Sequence, residues 1–333
     1  MWMPWLKFAF CVSVIGVAGP ALSYFGDIIA QRTGVSRSWV GLVLLASATS
    51  LPELFTSVSA LTVADAPNIA VGDLLGACIF NLVSLVVLDA LSREEPMYRR
   101  IDQGHILTAG FGIILIGFTG ALILLSRDGF GPHLFHVSLY TPIIIILYFV
   151  ATRAAYVYEK RGHREAPAAV SAGVSLKAAL VRYLLAAAAV GAAGSWLPFI
   201  GVEIARVMGW HTTFVGTLFI GVATTLPELA VTISALRLGA VDLAIGNLLG
   251  SNLFDILILA VGDLIYVKGP LFAAVSPAHA ISAFAAVIMS GIFIVAMLYR
   301  PETRIRGTIG WVSLSLLLVY LFSAYAIYLH GHQ

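Results

Sequence analysis

Two glutamates, Glu53 and Glu228, sit in near-identical segments, Ala48-Thr49-Ser50-Leu51-Pro52-Glu53-Leu54 and Ala223-Thr224-Thr225-Leu226-Pro227-Glu228-Leu229. Both segments lie in long apolar runs. A carboxylate at the centre of a membrane-spanning helix costs about 2.5–3.5 kcal/mol on insertion scales, which makes each a functional candidate by default. Each glutamate follows a proline, which has no N–H for the carbonyl four residues back and clashes with it. Pro52 should therefore release the carbonyl of Ala48, and Pro227 that of Ala223, disturbing Thr49 and Thr224 beside them. Irregular backbone at membrane depth is tolerated where it lines a cavity or is buried in protein. Freed carbonyls, the hydroxyls of Thr49, Ser50, Thr224 and Thr225, and two carboxylates make an all-oxygen environment that suits a hard cation, Ca²⁺ or Na⁺. Two carboxylates neutralise one Ca²⁺, which takes about six to eight oxygens, whereas Mg²⁺ demands tight octahedral geometry and resists dehydration.

A second polar series follows each glutamate. Gly72-Asp73-Leu74-Leu75-Gly76-Ala77-Cys78-Ile79-Phe80-Asn81 aligns with Gly246-Asn247-Leu248-Leu249-Gly250-Ser251-Asn252-Leu253-Phe254-Asp255. The spaced glycines form a small-xxx-small pattern that lets helices approach closely. Packing does not explain Asn247, Ser251, Asn252 and Asp255 inside an apolar span, and offsets of three and four place such neighbours on adjacent turns facing one cavity. Asp89 and Asp263, equivalent near the far ends of these helices, read as solvated or capping residues rather than transport residues.

No His or Cys cluster at ligand spacing occurs in the spans, which argues against a zinc, copper or iron site. His105, His133, His136, His163, His211 and His279 lie near predicted helix ends and read as interfacial or solvated. Cys11 and Cys78 lie in apolar runs and read as small buried apolar residues. Trp39, Trp196, Trp210 and Trp311 read as interfacial belt residues.

These elements need a frame, and composition supplies it. Of 333 residues, 60% are hydrophobic and 11% charged, against about 25% charged in a soluble domain. With a mean hydropathy of +0.96, a water-soluble protein is excluded. The net charge of +2 offers no basic block for nucleic acid and no acidic tail. Apolar runs predict ten helices near 8–30, 39–62, 68–91, 105–126, 136–158, 178–207, 213–237, 241–266, 278–298 and 307–328. The alternation of a barrel is absent, so the expected class is an all-α integral membrane bundle.

Residues 16–61 match 191–236 without a gap at an offset of 175, and the offset becomes 174 after one deletion. The first helix is thus half of a pair, which argues against reading it as a cleaved signal peptide. Two five-helix halves are expected: 1–158, containing a repeat over about 39–91, and 178–333, containing its counterpart over about 213–266. They are joined by a short connection over 159–177. An odd number of spans per half makes the repeats inverted in topology. Of the 19 basic residues, Lys7, Arg127, Arg206 and Lys268 fall on one side and the remaining 15 on the other. Positive-inside bias then places both termini outside and the 159–177 connection in the cytoplasm.

The paired Leu-Pro-Glu segments and the Gly-Asn-Leu-Leu-Gly-Ser-Asn-Leu-Phe-Asp stretch closely resemble the α-repeats of prokaryotic sodium/calcium exchangers, in the cation/Ca²⁺ exchanger superfamily. The resemblance spans nearly the whole chain. It implies that Glu53 and Glu228 bind Ca²⁺ and share sodium sites, with coordination from Thr49, Ser50, Asn81, Thr224, Thr225, Ser251 and Asp255. It implies exchange by competition for overlapping sites, gated by the first helix of each half moving against the other eight. The departures lie in the first repeat, where Ala77 lacks the hydroxyl of Ser251, and Asp73, a further candidate site residue, places a carboxylate where an amide is expected. These changes bear on stoichiometry and on the coupling ion.

The expected function is therefore a secondary antiporter exchanging Ca²⁺ for Na⁺ in a lipid bilayer, with no cofactor. Its short loops point to a prokaryotic cytoplasmic membrane. A Ca²⁺/H⁺ exchanger of the same fold is the alternative. A non-transporting cation-binding sensor or scaffold is the alternative from another class. No nucleophile-and-base arrangement or cofactor motif suggests an enzyme.

Overall fold

The computed structural model describes residues 2–33, 47–92, 97–127, 131–162, 174–300, 304–305 and 309–331. The apolar runs form helices α1 (Met3–Thr33), α2 (Leu51–Thr62), α3 (Pro67–Leu91), α4 (Gly104–Leu125), α5 (Thr141–Gly162) and α6 (Leu176–Met208), followed by α7 (Leu226–Arg237), α8 (Val241–Ile265), α9 (His279–Tyr299) and α10 (Trp311–His330). A helical segment, Thr212–Thr224, leads into α7 and is bent from it by 42°. Among the described residues, eight helices are long and apolar enough to cross a membrane, and this bent pair makes a ninth. The predicted 39–62 span is described only from residue 47 onward, so its first part lies outside the described residues.

The layering follows from how apolar each helix is all round. α3 and α8 are central, with 67% and 72% of their span residues buried, against 28% for α1, α5 and α10. α1 and α6 contain 31 and 33 residues, about 46–50 Å of helix, which exceeds a hydrocarbon core of about 30 Å and requires tilt. They pack on each other, α6 also on α2 and α1 on α7. These last contacts are exchanged between the halves. A Cβ on Gly194 would lie 3.1 Å from the carbonyl of Pro52, and one on Gly19 would collide with the ring of Pro227. At an offset of 175, each of these contacts is the other's repeat equivalent.

Two boundaries differ from the sequence expectation. The helices predicted to begin at 136 and 307 begin at Thr141 and Trp311, each preceded by a two-residue-stranded hairpin, His133–Leu134 with Val137–Ser138 and Arg304–Ile305 with Ile309–Gly310. The reason is a buried aspartate on the opposite half. Asp263 Oδ2 accepts hydrogen bonds from Ser138 N at 2.9 Å and Thr141 Oγ1 at 2.5 Å, while its Oδ1 accepts from Leu271 N at 2.8 Å. Asp89 Oδ2 accepts from Gly310 N at 2.9 Å and Ser313 Oγ at 2.6 Å. Both aspartates are buried caps, which corrects the solvated half of the expectation. Asp263→Ala strands two buried backbone N–H groups at about 1–3 kcal/mol each. The thermal midpoint in detergent should drop, while cation flux normalised to folded protein stays within about twofold.

Pairings at the membrane faces sort the connections into two groups. Lys268 pairs with Asp65 at 2.7 Å, Lys7 with Glu203 at 2.8 Å, and His136 Nε2 lies 3.0 Å from the carbonyl of Leu264. On the other face Asp102 N donates to Asp242 at 2.7 Å, and Arg32 donates to the carbonyl of Val174 at 3.2 Å. His279 departs from the expected interfacial or solvated position. It is fully buried, with Nε2 3.1 Å from Asn68 Oδ1. Cys11 and Cys78 are both buried and free.

Candidate functional site

Each Pro-Glu pair opens a short helix. Pro52 and Pro227 occupy the first turn of α2 and α7, where a missing N–H costs nothing, and Glu53 and Glu228 sit in the same turns. There the unpaired N–H groups and helix dipole favour an anion. Each helix resumes its ladder just after the glutamate, with Leu54 N donating to the carbonyl of Ser50 at 3.1 Å and Leu229 N to that of Thr225 at 3.2 Å. At 12 residues, each helix is about 18 Å long and cannot span the bilayer alone. The glutamates therefore sit at an interior break, as in transporters built from discontinuous helices.

α3 brings Asp73, Cys78 and Asn81 against this break by an approach that only glycine allows. A Cβ on Gly72 would lie 2.9 Å from Thr217 N, and one on Gly76 2.9 Å from Thr217 C. From the other side, a Cβ on Gly221 would lie 2.9 Å from the carbonyl of Asp73 and 3.0 Å from Ala77 N. The facing segment contains a π-helical turn, Gly216–Ile220, which the sequence reading did not anticipate. The hydroxyls of Thr224 and Thr225 turn back onto the carbonyls at its end and just beyond, of Ile220 and Gly221.

The predicted residues come together across the two halves. Ser50 Oγ donates to Glu228 Oε1 at 3.1 Å, and Thr225 Oγ1 donates to Glu53 Oε1 at 3.4 Å. Thr49 Oγ1 lies 3.5 Å from both Asn247 Oδ1 and Ser251 Oγ, and Thr224 Oγ1 donates to Asp73 Oδ1 at 2.8 Å. Asn81 Nδ2 donates to Asn252 Oδ1 at 3.0 Å, and Asn252 Nδ2 to the carbonyl of Cys78 at 3.3 Å. Cys78 Sγ lies 3.8 Å from Asp255 Oδ2. All of these side chains are at most 3% exposed.

The electrostatics are lopsided. Glu53 is close enough to feel the charges of Glu228, Asp255 and Asp73, and Asp255 those of Glu228 and Asp73. Ion pairs are made by other acids, among them Glu203, Asp242 and Asp65. One oxygen of each of the four carboxylates, Glu53 Oε2, Asp73 Oδ2, Glu228 Oε2 and Asp255 Oδ1, is buried without a hydrogen-bond partner, as is Asn81 Oδ1. Among the described residues no three His, Cys, Asp or Glu groups stand close enough to hold a metal ion by themselves. The acids are interleaved with hydroxyl and amide oxygens instead.

The sequence reading missed two participants. Cys78 contacts Asp255 rather than acting only as an apolar filler, and Thr232 accepts a hydrogen bond from Asn247 Nδ2 at 3.2 Å. The repeat register held the signal for Cys78, since it places that residue opposite Asn252 within the polar series.

Known proteins match this arrangement over most of their length. The chain is 28% identical over 256 residues to an uncharacterized membrane protein, MJ0091, of Methanocaldococcus jannaschii, covering 74% of this chain and 79% of that one. It is 26% identical over 271 residues to the sodium/calcium exchanger MaX1 of Methanosarcina acetivorans, covering 72% and 76%. Among solved structures, the sodium-calcium exchanger NCX_Mj superposes with a TM-score of 0.61 at 22% identity, covering 97% of this chain and 98% of that one. The H⁺/Ca²⁺ exchanger CAX superposes with a TM-score of 0.68 at 17% identity, covering 98% and 86%. At such identities these two structures establish a common membrane fold. The family model described as sodium/calcium exchanger protein matches residues 3–157 and 178–329, and by that match the chain, an integral membrane protein, belongs to the sodium/calcium exchanger family.

Proposed function

We propose that this protein exchanges Ca²⁺ for Na⁺ across a membrane by alternating access to the buried acidic site. The observation that carries the reading is the crossed pair of contacts, Ser50 to Glu228 and Thr225 to Glu53, beside four carboxylate oxygens that no protein group satisfies. Several unsatisfied acids in an apolar interior favour a transported cation, since buried charges are otherwise paired or neutralised. Ca²⁺ takes carboxylate, hydroxyl and amide oxygens in flexible geometry, and the site offers all three. Glu53, Glu228 and Asp255 supply charge; Thr49, Ser50, Asn81, Thr224, Thr225 and Ser251 supply neutral oxygens, with Asp73 at the edge. Na⁺ competes for the same oxygens, so the two ions occupy the site in turn.

The exchange is a property of two halves, 1–158 and 178–333, whose first helices, α1 and α6, move against the remainder. Both termini face outward and the 159–177 connection lies in the cytoplasm of a prokaryotic cell. The grouping of Asp65, Lys268 and His136 on one face and Arg32, Asp102 and Asp242 on the other supports this alternation.

The test is Ca²⁺ uptake into proteoliposomes under an outward Na⁺ gradient, compared with a matched pH gradient. Sodium-driven uptake that needs Glu228 is expected. Uptake driven only by protons would move the chain to Ca²⁺/H⁺ exchange, a reading favoured by Asp73 in place of an amide and Ala77 in place of a serine hydroxyl. Ca²⁺ binding without flux under either gradient would favour the sensor or scaffold.

A further inference from the structure

Two contacts between α3 and α8 are each other's repeat counterparts. Positions 78 and 252 are equivalent at the offset of 174, as are 81 and 255. Asn252 therefore stands to Asn81 as Cys78 stands to Asp255. The first pair is a neutral amide contact, with Asn81 Nδ2 donating to Asn252 Oδ1 at 3.0 Å. The second sets a sulfur against a carboxylate, with Cys78 Sγ 3.8 Å from Asp255 Oδ2. Cys78 and Asp255 are at most 1% exposed, and Asp255 Oδ1 is buried without a partner. The sulfur also lies 3.8 Å from the carbonyl of Asn252, whose Nδ2 donates to the carbonyl of Cys78 at 3.3 Å. These reciprocal contacts fix the two helices at this level.

A thiol is a weak donor with one hydrogen, whereas a carboxylate offers about four lone-pair positions. A sulfur that merely filled space would need no acid beside it, and the contact leaves half of that acid bare in an apolar interior. A metal ion held by both groups satisfies them together. Zinc bonds thiolate sulfur at about 2.3 Å and carboxylate oxygen at about 2.0–2.2 Å, so at a tetrahedral angle the two donors stand about 3.5–3.7 Å apart. The observed 3.8 Å needs only a slight closure. Sulfur selects soft and borderline ions, unlike the oxygens that surround it. On binding, a metal–sulfur bond replaces the S–H bond and the proton leaves to water, so thiolate and carboxylate balance a divalent charge. Spacing along the chain conceals the pair, whose members are 177 residues apart. A resident zinc centre takes three or four protein ligands, and among the described residues no three His, Cys, Asp or Glu groups gather to supply them. Two such ligands suit an ion that must leave again.

We propose that Cys78 and Asp255 form a subsite for a thiophilic divalent cation, of the Zn²⁺ and Cd²⁺ kind, inside the acidic site. The inference rests on the exchange reading and deepens it, since Cys78 then sets how strongly the site prefers soft over hard divalent ions.

Cd²⁺ is the probe, titrated into the purified full chain in detergent with Ca²⁺ binding measured in parallel. It should produce the ultraviolet charge-transfer band of a cadmium–thiolate bond. The other cysteine of the chain is Cys11, and Cys11→Ala should keep the band. Cys78→Ser should remove it and lower the ratio of Cd²⁺ to Ca²⁺ affinity at least about tenfold, the loss that even an outer partner of a metal ligand brings. Cys78→Asn, which installs the side chain of the second repeat, should do the same. An affinity ratio unmoved by both substitutions would overturn the subsite. Should neither variant fold, the native chain and Cys11→Ala decide: no band in the first, or a band lost in the second, would overturn it equally. The exchange reading is judged separately. A band at Cys78 without Na⁺-driven Ca²⁺ uptake would overturn that reading and leave the subsite standing, and uptake without the band would do the reverse.

Discussion

Glu228→Gln should reduce Na⁺-driven Ca²⁺ uptake into proteoliposomes by more than about 100-fold, a difference of roughly 2.7 kcal/mol at about 1.36 kcal/mol per tenfold. The substitution keeps the shape of the side chain, and its carbonyl oxygen can still accept from Ser50 Oγ, 3.1 Å from Oε1 in the native protein. It removes one charge and converts the unpartnered Oε2 into an NH₂ group that repels a cation. Folding should not suffer. A buried carboxylate among like charges opposes the folded state, so a neutral isostere is expected to leave the thermal midpoint in detergent unchanged or raised. Opposite movements of flux and stability would separate a transport role from a structural one. Glu53→Gln should behave in the same way, since Thr225 Oγ1 stands to Glu53 as Ser50 Oγ stands to Glu228. Undiminished uptake in either variant would refute the central site.

The second large effect is expected at a residue with no chemistry of its own. Gly76→Ala places a methyl group 2.9 Å from both the carbonyl carbon and the Cα of Thr217, and closer still to its oxygen. Those atoms are backbone, so no side chain can rotate away. α3 would have to withdraw from the π turn that carries Thr217, pulling Asp73 and Cys78 away from α7 and α8. Overpacking of this kind costs about 1–3 kcal/mol, or more where the obstacle is rigid. The yield of monodisperse protein and its thermal midpoint should both fall, and the flux of what remains should be impaired. Gly110→Ala is the control. A Cβ there meets nothing within 4 Å, and the change should stabilise α4 by up to about 1 kcal/mol through helix propensity. Equal behaviour of the two variants would show that the glycines matter for conformation rather than approach.

What could be read from the sequence alone was local or repetitive. Length, apolar runs and sparse charge determined a helical membrane bundle, and eight of the predicted spans recur as single helices with shifts of a few residues. Proline chemistry placed the breaks before Glu53 and Glu228, because a missing N–H acts on its own turn whatever surrounds it. The internal repeat singled out the oxygen-bearing residues, since it compares two stretches of one chain without a fold. Tertiary structure alone decided which half each side chain serves. Ser50 reaches Glu228, Cys78 reaches Asp255, and Asp89 and Asp263 cap helices more than a hundred residues away. It also decided the burial of His279 against Asn68 and the π turn that Gly72 and Gly76 admit. Periodicity reports what a residue does to its own helix. A partner across the bundle depends on how the helices cross, which rests on packing between segments that no spacing along the chain encodes.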